Sequence, residues 1–327
     1  CNLGCKFCAY RHKDRPKRIM PSEKFFAIVD QATQLGYSQF GLTPLTGEVY
    51  TDPDFLSKLD FLERHPGVDS YYFFSNLTLS SHDDLEETLT DCEKLTTGRR
   101  SLYISVYGHD KDSFTEITGG QARHYDRLTS NLAFLADFLD DPNKIEIGFR
   151  TFDNANPLDN IDDLSGELNR LLDPIQQLHD AGVTVSNFDG EYNNWGGVVS
   201  ERDLSGLDME LADAKTDKDG PCQLIFNKNI ILPDGEVNAC ACRDVDATLS
   251  LGHLDDDSLA DVLSPTDNTA YDELITRQNE GDFPAVCETC DYYQSVREPD
   301  PMHRSQYTLG EFYEKYDPVA DDYEPPK

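Results

Sequence analysis

The chain has 327 residues, enough for one large domain or two ordinary ones, and its 38% apolar content supports a real core. It carries 62 Asp and Glu against 28 Lys and Arg, a formal charge of −34 that repels nucleic acid and reads as solubility rather than as a partner. No apolar run of about 18 residues occurs, so no membrane span is expected, and no signal-peptide core is visible in this stretch of chain.

The first ten residues read CNLGCKFCAY, with cysteines spaced Cys1-x3-Cys5-x2-Cys8 and an aromatic residue, Phe7, before the last. A structural zinc site takes four protein ligands and a disulfide takes two, so three clustered thiols leave one valence to be filled from elsewhere. His12 is the nearby candidate for a zinc reading. The basic stretch RHKDRPKR (Arg11 to Arg18) reads equally as a solvated loop or as an anion patch. Because the first residue is Cys1 rather than Met, an upstream segment is expected, supplying one further strand.

From about residue 22 to 190 helix-like and strand-like segments alternate, the pattern of a parallel sheet covered by helices. The first helix, SEKFFAIVDQATQLG, places Phe25, Ile28, Val29, Ala32 and Leu35 at helical spacing, with Ser22 as cap and Gly36 as stop. A strand SQFGLT, a turn at Gly47-Glu48 and a helix capped by Thr51 follow. Further strands are expected at 70–75, 101–107, 144–150 and 183–188, with helices near 83–95, 122–140 and 161–181. After residue 195 a polar stretch reads as a linker with a short helix. QLIFNKNIILPDGEVNACAC then predicts a β-hairpin turning at Pro233-Asp234-Gly235, and DSLADVL and TAYDELITRQ predict helices. LGEFYEKY is a last expected helix before an acidic, Pro-containing end.

Of nine cysteines, eight fall in two groups, which favours metal, while Cys92 stands alone as a small apolar residue. The second group is Cys222, Cys240, Cys242, Cys287 and Cys290, on whose spacing alone zinc and iron–sulfur are near parity.

A cubane cluster has four irons, so a three-cysteine loop leaves one iron open. With Phe7, the motif Cys1-x3-Cys5-x2-Cys8 resembles the signature of the radical SAM superfamily. That resemblance implies an α/β fold, a partial (β/α)6 TIM-like barrel with its first strand cut away. It also implies an open iron chelated by S-adenosylmethionine and one-electron cleavage to a 5′-deoxyadenosyl radical. In PLTGEVYTDP, Gly47 and Glu48 resemble the family's Gly-Gly-Glu-Pro motif, whose backbone and carboxylate meet the amino group of the cofactor. Thr46 and Val49 depart from it. Asn76, Ser105 and Arg150 fall at strand ends, as cofactor-facing residues do in barrels of this kind. Cys222-x12-Gly235-x4-Cys240, LGHLDDDSL and the CETC pair resemble a SPASM or twitch auxiliary domain, a small α+β unit. The shorter twitch form implies one auxiliary [4Fe-4S] cluster on Cys222, Cys240, Cys287 and Cys290, with Cys242 spare or in place of Cys222.

The expected domains are a barrel at 1–199, a linker at 200–221, an auxiliary domain at 222–295 and a terminal helix and tail at 296–327. The resemblance implies oxidation of a peptide or of a small sugar-like alcohol by hydrogen abstraction, with flavodoxin or ferredoxin as electron donor, in the cytoplasm. A non-catalytic iron–sulfur scaffold or electron carrier is the reading from another class; the cofactor-facing set argues against it.

Overall fold

A computed structural model describes residues 1–42, 47–90, 92–96, 102–150, 166–187, 190–207, 209–241, 243–265 and 268–297. Thr46, Cys242, the expected helix at 309–316 and the rest of the tail lie outside the described residues. The chain divides into two compact units, one of Cys1–His12, Gln39–Tyr192 and Ser200–Leu211, the other of Lys13–Ser38, Asn193–Val199 and Ala212–Lys327. The first helix, α1 (Ser22–Gln34), therefore belongs to the second unit, and the expected linker is divided between the two.

The first unit is built on strands β1 (Gln39–Gly41), β2 (Ser70–Ser75), β3 (Leu102–Tyr107), β4 (Ile145–Arg150) and β5 (Thr184–Asn187). All neighbours pair in parallel in the order β1-β2-β3-β4-β5. A doubly wound sheet reverses its strand order partway, whereas consecutive order throughout is the winding of a (β/α) barrel. In this unit the expected alternation is largely realised. Helices α2 (Phe55–Arg64), α3 (His82–Thr90), α4 (Lys111–Thr118), α5 (Ala122–Phe138) and α6 (Gly166–Asp180) fill the crossovers. In α5, Tyr125, Leu128, Leu132 and Leu135 recur on one face and are fully buried. In β3 and β4 the apolar side chains Leu102, Ile104, Val106, Ile145, Ile147 and Phe149 are buried likewise.

Two caps differ from expectation. Ser22 is the first helical residue of α1 and Pro21 takes the cap position, because the Pro21 carbonyl accepts from Phe25 N at 3.0 Å and closes the first turn. Thr51 lies in a 3-10 turn (Val49–Thr51), its hydroxyl donating to Glu48 O at 2.6 Å, and α2 starts three residues after Asp52. The sequence reading had no helix at α4, which is closed by a reciprocal cap of Asp110 and Ser113 and by left-handed Gly119. Gly108, between β3 and α4, has φ +74°, and a Cβ there would stand 2.5 Å from Phe114 N.

A short parallel pair, β6 (Gly190–Tyr192) and β7 (Met209–Leu211), and helix α7 (Glu201–Leu204) complete the first unit. In the second, α8 (Leu224–Asn227) is one helical turn where the apolar run QLIF had been taken into the hairpin. A short apolar run does not distinguish a strand from a buried turn of helix, and here Leu224, Ile225 and Phe226 are all buried. The hairpin itself is present but shorter, β8 (Ile230–Ile231) with β9 (Glu236–Asn238), and β10 (Ser250–His253) extends it to three antiparallel strands. Helices α9 (Leu259–Val262), α10 (Ala270–Asn279) and α11 (Ala285–Glu288) follow. Among the described residues no helix is long and apolar enough to cross a membrane.

Candidate functional site

The cysteine loop is fastened to the end of α4. Gly4 N donates to Thr118 O and Lys6 N to Ile117 O, each at 2.8 Å, and Cys8 N donates to Cys5 O at 3.1 Å. Burial pushes the Cys5 thiol far up, the charge of Cys8 adds to this, and the Arg150 guanidinium opposes it. Burial raises Cys8 too, against a backbone hydrogen bond at Tyr10 and the same guanidinium. Burial thus favours the neutral form of both neighbouring thiols, and a bound cation would act the other way, since a metal deprotonates its thiol ligands.

Phe7 is buried with its ring centroid 5.3 Å from that of Tyr107 and 5.7 Å from that of Tyr192. Arg150 lies 5.5 Å over Phe7 and 5.7 Å over Tyr192. Strand register makes this arrangement: Tyr107 is the β3 partner of Arg150 on β4, and Ser105 is the partner of Gly148. Ser105 and Tyr107, two residues apart on β3, share a face.

At the ends of β1 and β2, Glu48 is only 3% exposed. Its carboxylate accepts from Ser75 Oγ at 2.9 Å, Asn76 N at 2.7 Å and Tyr50 N at 3.3 Å. Burial raises its pKa and these three donors hold it down. Glu48 thus ties the turn after β1 to the turn after β2, and three of its roughly four acceptor sites are used within the protein. Asn76, tethered this way, places Nδ2 4.0 Å from Cys1 Sγ and 3.1 Å from Asn2 Oδ1. The structure thus gathers Phe7, Ser105 and Arg150 in one place and Glu48 with Asn76 in another, the latter reaching Cys1, while Gly47 immediately precedes Glu48. Sequence reasoning missed Tyr107 and Tyr192. The two-residue period of SLYISVY, which puts Tyr103, Ser105 and Tyr107 on one face, was the available signal for Tyr107.

In the second unit Cys222, Cys240, Cys287 and Cys290 line one pocket, with Arg243, Gln278 and Tyr293. The thiols feel one another. Burial first, then Cys240 and Cys290, push Cys287 up to about 12. Burial raises Cys222 further, with Cys240 and Cys287 adding to it. Gln278, fully buried on α10, accepts from Cys222 N at 2.9 Å and donates to Cys287 Sγ at 3.5 Å, and Tyr292 N donates to Cys290 Sγ at 3.2 Å. Four half-buried cysteines round one pocket, with N–H groups aimed at two sulfurs, fit a thiolate-held cluster.

Residues 222–291 match the SPASM family model, an iron–sulfur cluster-binding domain. No curated protein matches the chain. Among solved structures it is similar to BtrN in complex with AdoMet and 2-DOIA, at 12% identity over 94% of this chain and 93% of that one, TM-score 0.51. It is also similar to anSMEcpe with bound AdoMet, at 15% identity over 98% and 90%, TM-score 0.50. A third, anSMEcpe with AdoMet and the Kp18Cys peptide, matches at 14% over 98% and 93%, TM-score 0.50. The chain shares the fold of these AdoMet-bound structures, and residues 222–291 carry a SPASM iron–sulfur cluster-binding domain. The SPASM model describes an iron–sulfur cluster-binding domain, and AdoMet is bound in the solved structures that share the fold.

Proposed function

We propose that the protein is a radical SAM enzyme that oxidises a peptide substrate by two electrons. When bound, a [4Fe-4S] cluster on Cys1, Cys5 and Cys8 with S-adenosylmethionine supplies one-electron cleavage to a 5′-deoxyadenosyl radical that takes a substrate hydrogen atom, and a second [4Fe-4S] cluster supplies an acceptor for the electron left on the product. The balance is one hydrogen atom, one electron and one proton lost from substrate per S-adenosylmethionine consumed.

The observation that carries this reading is the pair of cysteine sets, three in one unit and four round a pocket in the other, on a fold similar along nearly its whole length to AdoMet-bound structures. Within the chain, Glu48 holds the turn of Gly47 and Asn76 beside Cys1, leaving the Gly47 backbone to meet the cofactor's amino group. Ser105 and Arg150 face the cofactor from β3 and β4, and Phe7, Tyr107 and Tyr192 keep water from Cys5 and Cys8. Cys222, Cys240, Cys287 and Cys290 are the ligands of the second cluster. The likeness to anSMEcpe with the Kp18Cys peptide supports a peptide substrate. The likeness to BtrN with 2-DOIA favours a second reading, a small sugar-like alcohol. A low-potential donor such as flavodoxin or ferredoxin, in a cytoplasm that keeps thiols reduced, completes the scheme.

The test is incubation of reduced enzyme and S-adenosylmethionine with a candidate substrate deuterated at the target carbon. Deuterium in 5′-deoxyadenosine, with a product two hydrogens lighter, is the expected result. A product of unchanged mass overturns the oxidation, and absence of S-adenosylmethionine cleavage by the reduced protein leaves only a scaffold or electron carrier.

A further inference from the structure

Arg243 and Asp291 form an ion pair inside the wall of the four-cysteine cavity. Arg243 Nε donates to Asp291 Oδ1 at 2.9 Å, and the two side chains are only 14% and 6% exposed. The guanidinium is further held by two rings, its Cζ 4.5 Å from the Tyr292 centroid and 5.8 Å from that of Trp195. Withdrawing two charges from water costs several kcal/mol each, and a buried pair is often no more stabilising than an apolar replacement, so stability alone is a poor account of it. What distinguishes this pair is its place. Arg243 lines the cavity beside the four cysteines, and Asp291, its ion-pair partner, directly follows Cys290.

We propose that the Arg243–Asp291 pair sets the reduction potential of the group held by Cys222, Cys240, Cys287 and Cys290, which rests on the reading of that site as a [4Fe-4S] cluster. Reduction adds one negative charge to a buried site. Positive charge nearby favours it and negative charge opposes it, and a cluster's potential follows local charge, hydrogen bonds to sulfur and exposure. Arg243 offsets Asp291, while Tyr292 and Trp195 fix the guanidinium at its distance, so the site's local charge is a balance held by residues that ligate nothing. As a positioning residue, Arg243 tunes how readily the site takes an electron and leaves the radical-forming site alone.

The experiment is an EPR-monitored redox titration of protein reconstituted without oxygen, comparing the natural chain with Arg243→Gln, Asp291→Asn, the double variant and Arg243→Lys, with iron counted for each. Arg243→Gln is expected to lower the potential of the second cluster by at least tenfold in its one-electron equilibrium constant, about 59 mV. Asp291→Asn is expected to raise it, and the double variant to fall between them. Arg243→Lys, which keeps the charge and loses the fork, stays near the natural value if charge is the cause. Shifts of the same sign for Arg243→Gln and Asp291→Asn, or no shift in either with full iron, overturn the proposal. Where Arg243→Gln loses iron, Asp291→Asn and Arg243→Lys decide it alone. Natural protein that lacks iron at this site overturns the cluster reading itself, a distinct failure visible before any variant is made.

Discussion

The two thiol sites differ in how the chain builds them. The first takes its three cysteines from one eight-residue loop, held by two backbone hydrogen bonds to the end of α4 and surrounded by side chains from strand ends. The second collects Cys222, Cys240, Cys287 and Cys290 across 69 residues, and its precision comes from a buried glutamine between two of the cysteine segments. A local loop with one valence left over suits a site that must admit a second molecule. A set of four thiols with an ion pair in its wall suits a site that exchanges electrons. The two should therefore fail independently.

The largest effect expected is from Cys1, Cys5 and Cys8 changed together to Ala. S-adenosylmethionine cleavage falls to background, and iron falls from about eight to about four per chain, two cubes to one. Retention of all the iron breaks the comparison, because it places nothing on the loop. Next, Cys287→Ala or Cys290→Ala removes the second cluster while cleavage to 5′-deoxyadenosine persists and substrate oxidation stops. Cys242→Ala retains it. If losing Cys242 removes the cluster and losing Cys222 does not, the ligand set is wrong, and iron content reads this directly.

A smaller effect is expected at Glu48. Glu48→Gln replaces one accepting oxygen by a donor inside a pocket of three donors, leaving a buried N–H unanswered at a cost of about 1–3 kcal/mol. The turn carrying Asn76 loosens, and affinity for S-adenosylmethionine, measured by equilibrium dialysis, falls about tenfold or more. The spectrum of the second cluster is unchanged. Unchanged affinity would show that the carboxylate's hydrogen bonds do not position the cofactor turn.

How much of this was legible follows from how local each feature is. The three-cysteine loop is contiguous and was read directly. The parallel sheet was read because β2, β3 and β4 are bounded by turn residues and carry β-rich runs. The Phe7, Tyr107, Tyr192 and Arg150 cluster was legible only in part, since it depends on the register of β3 against β4 and on Tyr192 returning from far along the chain. Gln278 carried no signal: in sequence it is one more polar residue on a helix, and only burial makes it a clamp. QLIF was misread because apolar content says that a segment is buried, not whether it coils. The helix α4 escaped because its apolar stripe is only Phe114 and Ile117, so its ends identify it better than its face.

That last element yields the smallest and most discriminating prediction. Asp110 caps α4, its carboxylate accepting from Ser113 N at 2.8 Å, and α4 ends on the carbonyls of Ile117 and Thr118 that hold the cysteine loop. Burial acts to raise the Asp110 pKa, but the hydrogen bonds from Ser113 and the neighbouring His109 outweigh it, and the group lies below its ordinary value. A depressed folded pKa gives stability that is present above the unfolded value, roughly 3.9, and is lost as pH falls through the folded one. At neutral pH Asp110→Ala is expected to cost about 1 kcal/mol locally, a roughly fivefold faster amide exchange across residues 111–118, and Asp110→Asn, which keeps a capping oxygen, much less. The gap between the natural chain and Asp110→Ala should narrow below about pH 4 as the carboxylate is protonated. With α4 loosened, the loop at Cys1, Cys5 and Cys8 should lose iron to a chelator faster, while the four-cysteine site loses it at the natural rate. Equal acceleration at both sites would mean that the cap stabilises the chain as a whole and that the two sites are not independently held.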